Sequence, residues 1–170
     1  MNAGAFGGET WRHVVEVETI DRQGREHRRP ASEYRVSYRH VAPPAAQEWF
    51  LAAHLRFEVH PPEHQSEVNS LLERRKAAQP IGEWSCGSVF TNPPGDHAAR
   101  LIEATGLKGL RIGDASVSLK HANFIINHGS ATAVDVESLI QRVQDEVERA
   151  HGVRLHPEVR VVGQSAEDRR

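Results

Sequence analysis

The side chains that could do chemistry stand in a few short runs. In Gly87-Ser88 a hydroxyl follows a glycine, in a turn-rich stretch that ends at Asn92-Pro93-Pro94-Gly95. A serine held this way can be exposed and fixed by backbone, which suits a proton donor or a nucleophile. It is equally the setting of a loop serine bonded to its own main chain. Cys86 and Thr91 stand where a Gly-x-Ser-x-Gly elbow needs other residues, so a serine hydrolase is not indicated. Lys120-His121-Ala122-Asn123 gathers a cation, an imidazole and an amide, a set that can bind phosphate, orient a substrate or edge a strand. Glu158 and Arg160 share a face at strand period, as a solvent-side ion pair would. Arg35 and Arg39, four apart in a strand-like stretch, project to one face and form a basic aromatic patch with Tyr34 and Tyr38. His60 and His64 have a helical ligand spacing, but Pro61-Pro62 keeps His60 out of such a helix. No cysteine pair or His-Glu-x-x-His run accompanies them, so no metal site is expected.

These residues need elements to hold them. Met1 to Glu9 is a Gly/Ala-rich loop, suited to close backbone approach or to a linker. Trp11 to Ile20 alternates, with Val15, Val17 and Thr19 against Glu16 and Glu18, and reads as a half-buried strand. Asp21-Arg22-Gln23-Gly24 is a turn, a second strand follows, and Tyr34 to Arg39 alternates again. Trp49 to Val59 reads as a strand with Phe50, Ala52 and His54 on one face and Trp49, Leu51 and Ala53 on the other. After His60-Pro61-Pro62 a polar helix runs from Glu63 to Ala78, with Val68, Leu71 and Leu72 as its stripe.

The second half mixes periods. A short helix lies between Gly95 and Gly106, with Asp96 as N-cap and Gly106 just past its end. Phe124-Ile125-Ile126 is a buried strand. Thr132 with Asp135 opens a long helix to about Ala150, whose stripe is Val136, Leu139, Ile140, Val143, Val147 and Ala150, and Gly152 ends it. Leu155 to Val162 is the last strand, and residues 164–170 are a frayed tail. The fold class is α+β, divided as 1–59, 60–163 and the tail.

Composition narrows the function. A formal net charge of -2 over 170 residues argues against a nucleic-acid binder, which would carry a basic field. No apolar run reaches the length of a membrane span, and Met1 to Glu9 has neither the basic nor the apolar segment of a signal peptide. The single cysteine, Cys86, has no internal disulfide partner, which fits a cytoplasmic chain.

Several strings, taken together, resemble the UDP-N-acetylenolpyruvoylglucosamine reductase (MurB) family in that family's order. Met1 to Glu9, MNAGAFGGE, is similar to MNAGAYGGE of its flavin domain, and Tyr38-Arg39-His40 to YRxS. Gly87 to Pro93 resembles GSxFKNP, and Ala98 to Gly113 the run after it. Val117 to Phe124 resembles VSxKHANF, and Pro157-Glu158-Val159-Arg160 the closing PEVR. The resemblance implies a partial FAD-binding domain of strands and hairpins at 1–59, then a compact α+β substrate domain at 60–163. It implies an oxidoreductase of peptidoglycan synthesis that uses NADPH and FAD to reduce UDP-N-acetylglucosamine enolpyruvate. Arg39, by its YR position, would pair with the substrate carboxylate. Ser88 would deliver a proton, and Glu158 would help stabilise the enolic form. Asn92 would contact the UDP diphosphate, Tyr38 would contact substrate, and Asn2, Ala3 and Gly4 would lie near the flavin. Lys120 and Asn123 would have supporting roles.

Three positions depart from the pattern. Val41 stands where YRxS has serine, Thr91 where GSxFKNP has lysine, and Phe6 where the first string has tyrosine. The family's GGGSN-like stretch and GIPGxVGG loop are absent from these 170 residues. The expectation is therefore that this chain alone lacks the first flavin lobe, holds FAD weakly and is inactive by itself. It leaves an exposed sheet edge in the N-terminal strands. The alternative is a non-catalytic UDP-sugar-binding module.

Overall fold

A computed structural model describes residues 2–59 and 65–163. The chain divides into two compact units, Met1–Leu71 and Leu72–Arg170. The expected boundary at 60–62, the His60/His64 pair and the tail from 164 lie outside the described residues. The elements mix helices with antiparallel sheets, so the fold is α+β.

The first unit is built from hairpins. β1 (Gly4–Ala5) pairs with β2 (Gly8–Glu9), so the Gly/Ala-rich start is an ordered hairpin and not a linker. A 3-10 turn at Thr10–His13 precedes β3 (Val14–Asp21), which pairs on one side with β4 (Glu26–Pro30). The turn between them forms as expected: Gly24 takes φ 75°, and its N–H donates to the Asp21 carbonyl at 3.1 Å. A short 3-10 turn (Ala31–Glu33) leads to β5 (Arg35–Ser37) and β6 (His40–Ala42), which pair with each other. β7 (Glu48–Leu55) pairs on the other side of β3.

Two register shifts separate this sheet from the simple alternation expected of it. Val14 faces Leu55 and Glu16 faces His54, so Val15 is an extra residue in β3. That is why Val14 and Val17, three apart, are both buried while Val15 is 41% exposed. A second shift, on β7, makes Leu51 the extra residue between Ala52 and Phe50. β7 is an edge strand, and Trp49, Phe50 and Leu51 are each about half exposed, in line with the expected open edge. The small core joins Val14, Val17 and Tyr34, with the Trp11 ring tilted against the Tyr34 ring at a centroid distance of 5.1 Å. Beside it Glu48, only 5% exposed at its side chain, receives Arg29 Nε at 2.7 Å and the Thr19 hydroxyl at 2.8 Å. Those donors hold its carboxyl down at about 2.

Helix α1 (Gln65–Ala78) carries Val68, Leu71 and Leu72 as its apolar stripe, but Val68 and Leu72 are about half exposed. In the second unit a four-stranded antiparallel sheet has the order β8 (Ser85–Ser88), β11 (Phe124–Asn127), β10 (Ala115–Val117), β9 (Arg111–Ile112). Helices α2 (Ala98–Ala104) and α3 (Ala133–His151) pack with one face of it, burying Leu101, Ile102, Leu139, Val143 and Val147 against Val117 and Ile125. Truncating a side chain such as Leu139 in this core costs about 2–5 kcal/mol.

Thr132 and Asp135 close the expected capping box, and Gly152 ends α3 at φ 68°. The stripe holds except at its end. Ala150 is exposed, and Gln144 is buried with its amide donating to the Leu155 carbonyl at 2.7 Å. Helix α2 starts later than expected: His97 is its N-cap, while Asp96 accepts the His97 N–H and pairs with Arg100. Residues 155–162 do not form a strand, only a bridge between Pro157 and Phe90. Proline has no N–H to continue a ladder there.

Candidate functional site

Each unit gathers its own share of the expected site residues. In the first unit Tyr38 and Arg39 form the two-residue turn between β5 and β6, where Ser37 faces His40. The turn corrects the expectation that Arg35 and Arg39 share a strand face. Arg39 takes φ 55°, a left-handed conformation uncommon for a residue with a side chain. Its guanidinium carbon lies 5.5 Å from the Tyr38 ring centre, within cation–π range, and Nη2 donates to the Gly4 carbonyl at 3.4 Å. Tyr38 is half exposed. Val41, in β6, faces Val36 and packs with the small core.

The hairpin of Asn2, Ala3 and Gly4 lies next to that turn. Asn2 is 1% exposed; its amide donates to Glu9 at 2.8 Å and to the Ser37 carbonyl at 3.4 Å, and its oxygen accepts the Trp11 N–H at 3.0 Å. Its side chain is thus committed to holding the hairpin against the Tyr38-Arg39 turn. The Ala3 carbonyl accepts both the Thr10 N–H and the Thr10 hydroxyl. A Cβ on Gly4 would stand 2.3 Å from the Gly8 carbonyl oxygen, so only glycine lets this hairpin close. Ala3, Ala5, Gly7 and Gly8 are exposed, leaving main chain open to a flat ligand with no bulky side chain in the way, apart from Phe6.

The second unit gathers Ser88, Asn92 and Glu158. Ser88 ends the edge strand β8 and does not sit in a free loop, as its register with Phe124 makes plain. Ser85 faces Ile126, so β8 carries an extra residue in a bulge just before Ser88, where Gly87 takes φ 81°. Such bulges re-aim a side chain out of the ladder. The hydroxyl is half-buried, and among the described residues nothing is bonded to it. Beyond it, the Val89 carbonyl accepts the Glu158 N–H at 2.7 Å, and the Thr91 N–H donates to the His156 carbonyl at 2.9 Å. Glu158 therefore lies in a bend pinned beside Ser88, and the strand face expected to be shared with Arg160 does not exist. Asn92 is exposed, and its oxygen accepts the Ala98 N–H at 3.1 Å, capping α2 from outside the helix.

The Lys120 to Asn123 run is a tight turn before β11. Lys120 Nζ donates to the Lys76 carbonyl in the last turn of α1, at 2.6 Å, a favourable place for a cation. His121 stacks edge-on against Phe124, and burial lowers its pKa. Asn123 is buried and bonds the Phe90 main chain twice. Sequence pattern missed this clamp; its trace is a lone amide between Ala122 and the apolar run 124–126. Among the described residues no group of three or more metal-binding side chains gathers, and no helix is long and apolar enough to cross a membrane.

Comparison with known proteins now bears on this arrangement. Residues 79–162 match the family model of the UDP-N-acetylenolpyruvoylglucosamine reductase C-terminal domain. The chain is 61% identical over 166 residues to the UDP-N-acetylenolpyruvoylglucosamine reductase of Alkalilimnicola ehrlichii, covering 97% of this chain and 55% of that protein. It is 55% identical over 168 residues to that of Methylococcus capsulatus, covering 97% and 54%. The crystal structure of the reductase (MurB) from Thermus caldophilus superposes with a TM-score of 0.80 at 38% identity, over 93% of this chain and 56% of that one. The chain belongs to the UDP-N-acetylenolpyruvoylglucosamine reductase family and spans about half the length of the curated relatives it matches.

Proposed function

We propose that this chain supplies substrate-handling residues for the FAD- and NADPH-dependent reduction of UDP-N-acetylglucosamine enolpyruvate to UDP-N-acetylmuramate, and works in the cytoplasm. When bound, FAD supplies hydride transfer from NADPH to the vinyl carbon of the substrate. The small-residue hairpin suits that cofactor: the exposed Ala3 and the half-buried Gly4 would approach it with main chain, while Asn2 fixes the hairpin through its side chain.

Hydride addition leaves negative charge beside the substrate carboxylate, and a donor or cation prepared in advance lowers the barrier most. Arg39 fills that role, its turn conformation and the Tyr38 ring holding the guanidinium in place. Tyr38 lines the same side of the substrate. Ser88 delivers its hydroxyl proton to the adjacent carbon; a weak acid can do this only against a strongly basic centre held in contact. Glu158 stabilises the enolic form. Asn92 offers its amide to the diphosphate while its oxygen caps α2.

The observation that carries this reading is the bulge just before the half-buried Ser88, with the Glu158 N–H bonded to the carbonyl of the next residue, Val89. The test is calorimetric titration of the chain with the enolpyruvyl nucleotide and, separately, with UDP-N-acetylglucosamine. The carboxylated ligand binds at least about tenfold more tightly, as one charge-assisted pair provides, and Arg39→Met removes the difference. Equal binding of both ligands by the native chain points instead to a UDP-sugar-binding module.

A further inference from the structure

Asn123 makes three hydrogen bonds to the two residues that follow Ser88. Its oxygen accepts the Phe90 N–H at 2.9 Å, its amide donates to the Phe90 carbonyl at 2.8 Å, and its own carbonyl accepts the Val89 N–H at 2.9 Å. The side chain is 4% exposed, so these bonds face no competition from water. Val89, held by this clamp, follows Ser88 directly and carries the carbonyl that pins Glu158. The regular pairing of β8 with β11 ends at Ser88, which faces Phe124, so Val89 and Phe90 lie just beyond the strand. The asparagine amide, planar with one donor and one acceptor, pairs with the main chain as a strand neighbour would.

We propose that Asn123 is the positioning residue that sets Ser88 and Glu158 relative to each other, resting on the roles assigned to those two residues above. It acts through the Val89-Phe90 main chain and touches no substrate. Aspartate tests this sharply. As a neutral acid its hydroxyl donates to the Phe90 carbonyl and its carbonyl oxygen accepts the Phe90 N–H, reproducing the amide. As a carboxylate it sets two acceptors against that carbonyl. His121, whose Nδ1 accepts the Asn123 N–H at 3.3 Å, is the titrating side chain bonded to this residue, and Asn123→Ala retains it as a control.

The experiment is amide NMR of the full chain carrying Asn123→Asp, followed from acid to neutral pH, with Asn123→Ala alongside. In Asn123→Asp the Val89, Phe90 and Glu158 amide signals are native-like in acid and move away in one transition as pH rises. Compared with the native chain at the same pH, their hydrogen exchange is then about tenfold faster, the loss of one buried bond, while α3 amides match the native chain. Asn123→Ala shows the displaced signals at every pH. If Asn123→Ala does not fold, the acid rescue in Asn123→Asp carries the test alone. Native-like signals at those three amides in both variants at all pH values overturn the proposal. Adding the enolpyruvyl nucleotide to the native chain separates the two claims. Acid rescue with no response of Ser88 or Glu158 to ligand defeats the functional reading and leaves the clamp standing.

Discussion

The Val89 carbonyl accepts the Glu158 N–H at 2.7 Å, tying the residue after Ser88 to the main chain of a glutamate sixty-nine positions further on in sequence. The closing Pro157 to Arg160 stretch therefore belongs to the Ser88 neighbourhood through main-chain bonding. Substitutions at either side chain can change chemistry without loosening the frame.

Ser88→Ala follows from this. The hydroxyl makes no bond among the described residues, so its loss leaves thermal stability within about 0.5 kcal/mol. In flavin-loaded protein completed to the full length of its relatives, reduction of the enolpyruvyl substrate falls about 100-fold or more, while bleaching of the flavin by NADPH is unchanged. A large drop in melting temperature, or equal loss in both half-reactions, would contradict the proton-donor role.

Asn92 caps α2, and the proposed reading gives it a second duty, toward the diphosphate, that substitution separates from the first. Asn92→Ala removes the cap on the Ala98 N–H and costs about 1 kcal/mol of stability as well as nucleotide affinity. Asn92→Asp keeps an oxygen for the cap but sets a negative charge against the diphosphate. Its denaturation midpoint stays near native while calorimetry reads weaker nucleotide binding.

The left-handed backbone at Arg39 predicts an asymmetry between two truncations. Glycine accepts φ 55° freely and alanine does not, so Arg39→Gly is more stable than Arg39→Ala by about 1 kcal/mol in urea. Both lose preference for the carboxylated ligand.

Acid should weaken the first unit through Glu48. Its folded pKa, about 2, lies below its ordinary value of 4.5. Its stabilisation is therefore complete above about pH 4.5 and is lost as pH falls toward 2. Arg29→Met leaves that carboxylate buried without its main partner and costs about 3 kcal/mol at neutral pH. The acid-induced loss between those pH values should shrink in the variant; an unchanged pH profile would contradict the assignment.

Much of this was legible in sequence where local rules act alone. The capping box at Thr132 and Asp135, the αL stop at Gly152 and the Gly24 turn depend on neighbours a few residues away, and all formed. Strand faces were less legible because bulges at Val15, Leu51 and before Ser88 shift the alternation, and nothing in side-chain type marks an inserted residue. Tyr38-Arg39 lacks the usual glycine or asparagine of a tight turn, so Tyr34 to Arg39 read as one alternating stretch and the turn within it was not seen. The resemblance gave Asn123 a supporting role, but its clamp was not legible because its partner, Phe90, is 33 residues away.

The central claim is that this chain carries residues that handle the enolpyruvyl nucleotide. Its most direct test is amide and side-chain NMR of the folded chain during titration with UDP-N-acetylglucosamine enolpyruvate. The account predicts saturable shifts at Ser88, Asn92 and Glu158 and at the Arg39 guanidinium, with helix α3 silent. A folded chain whose signals at those four residues do not move at saturating nucleotide would contradict it.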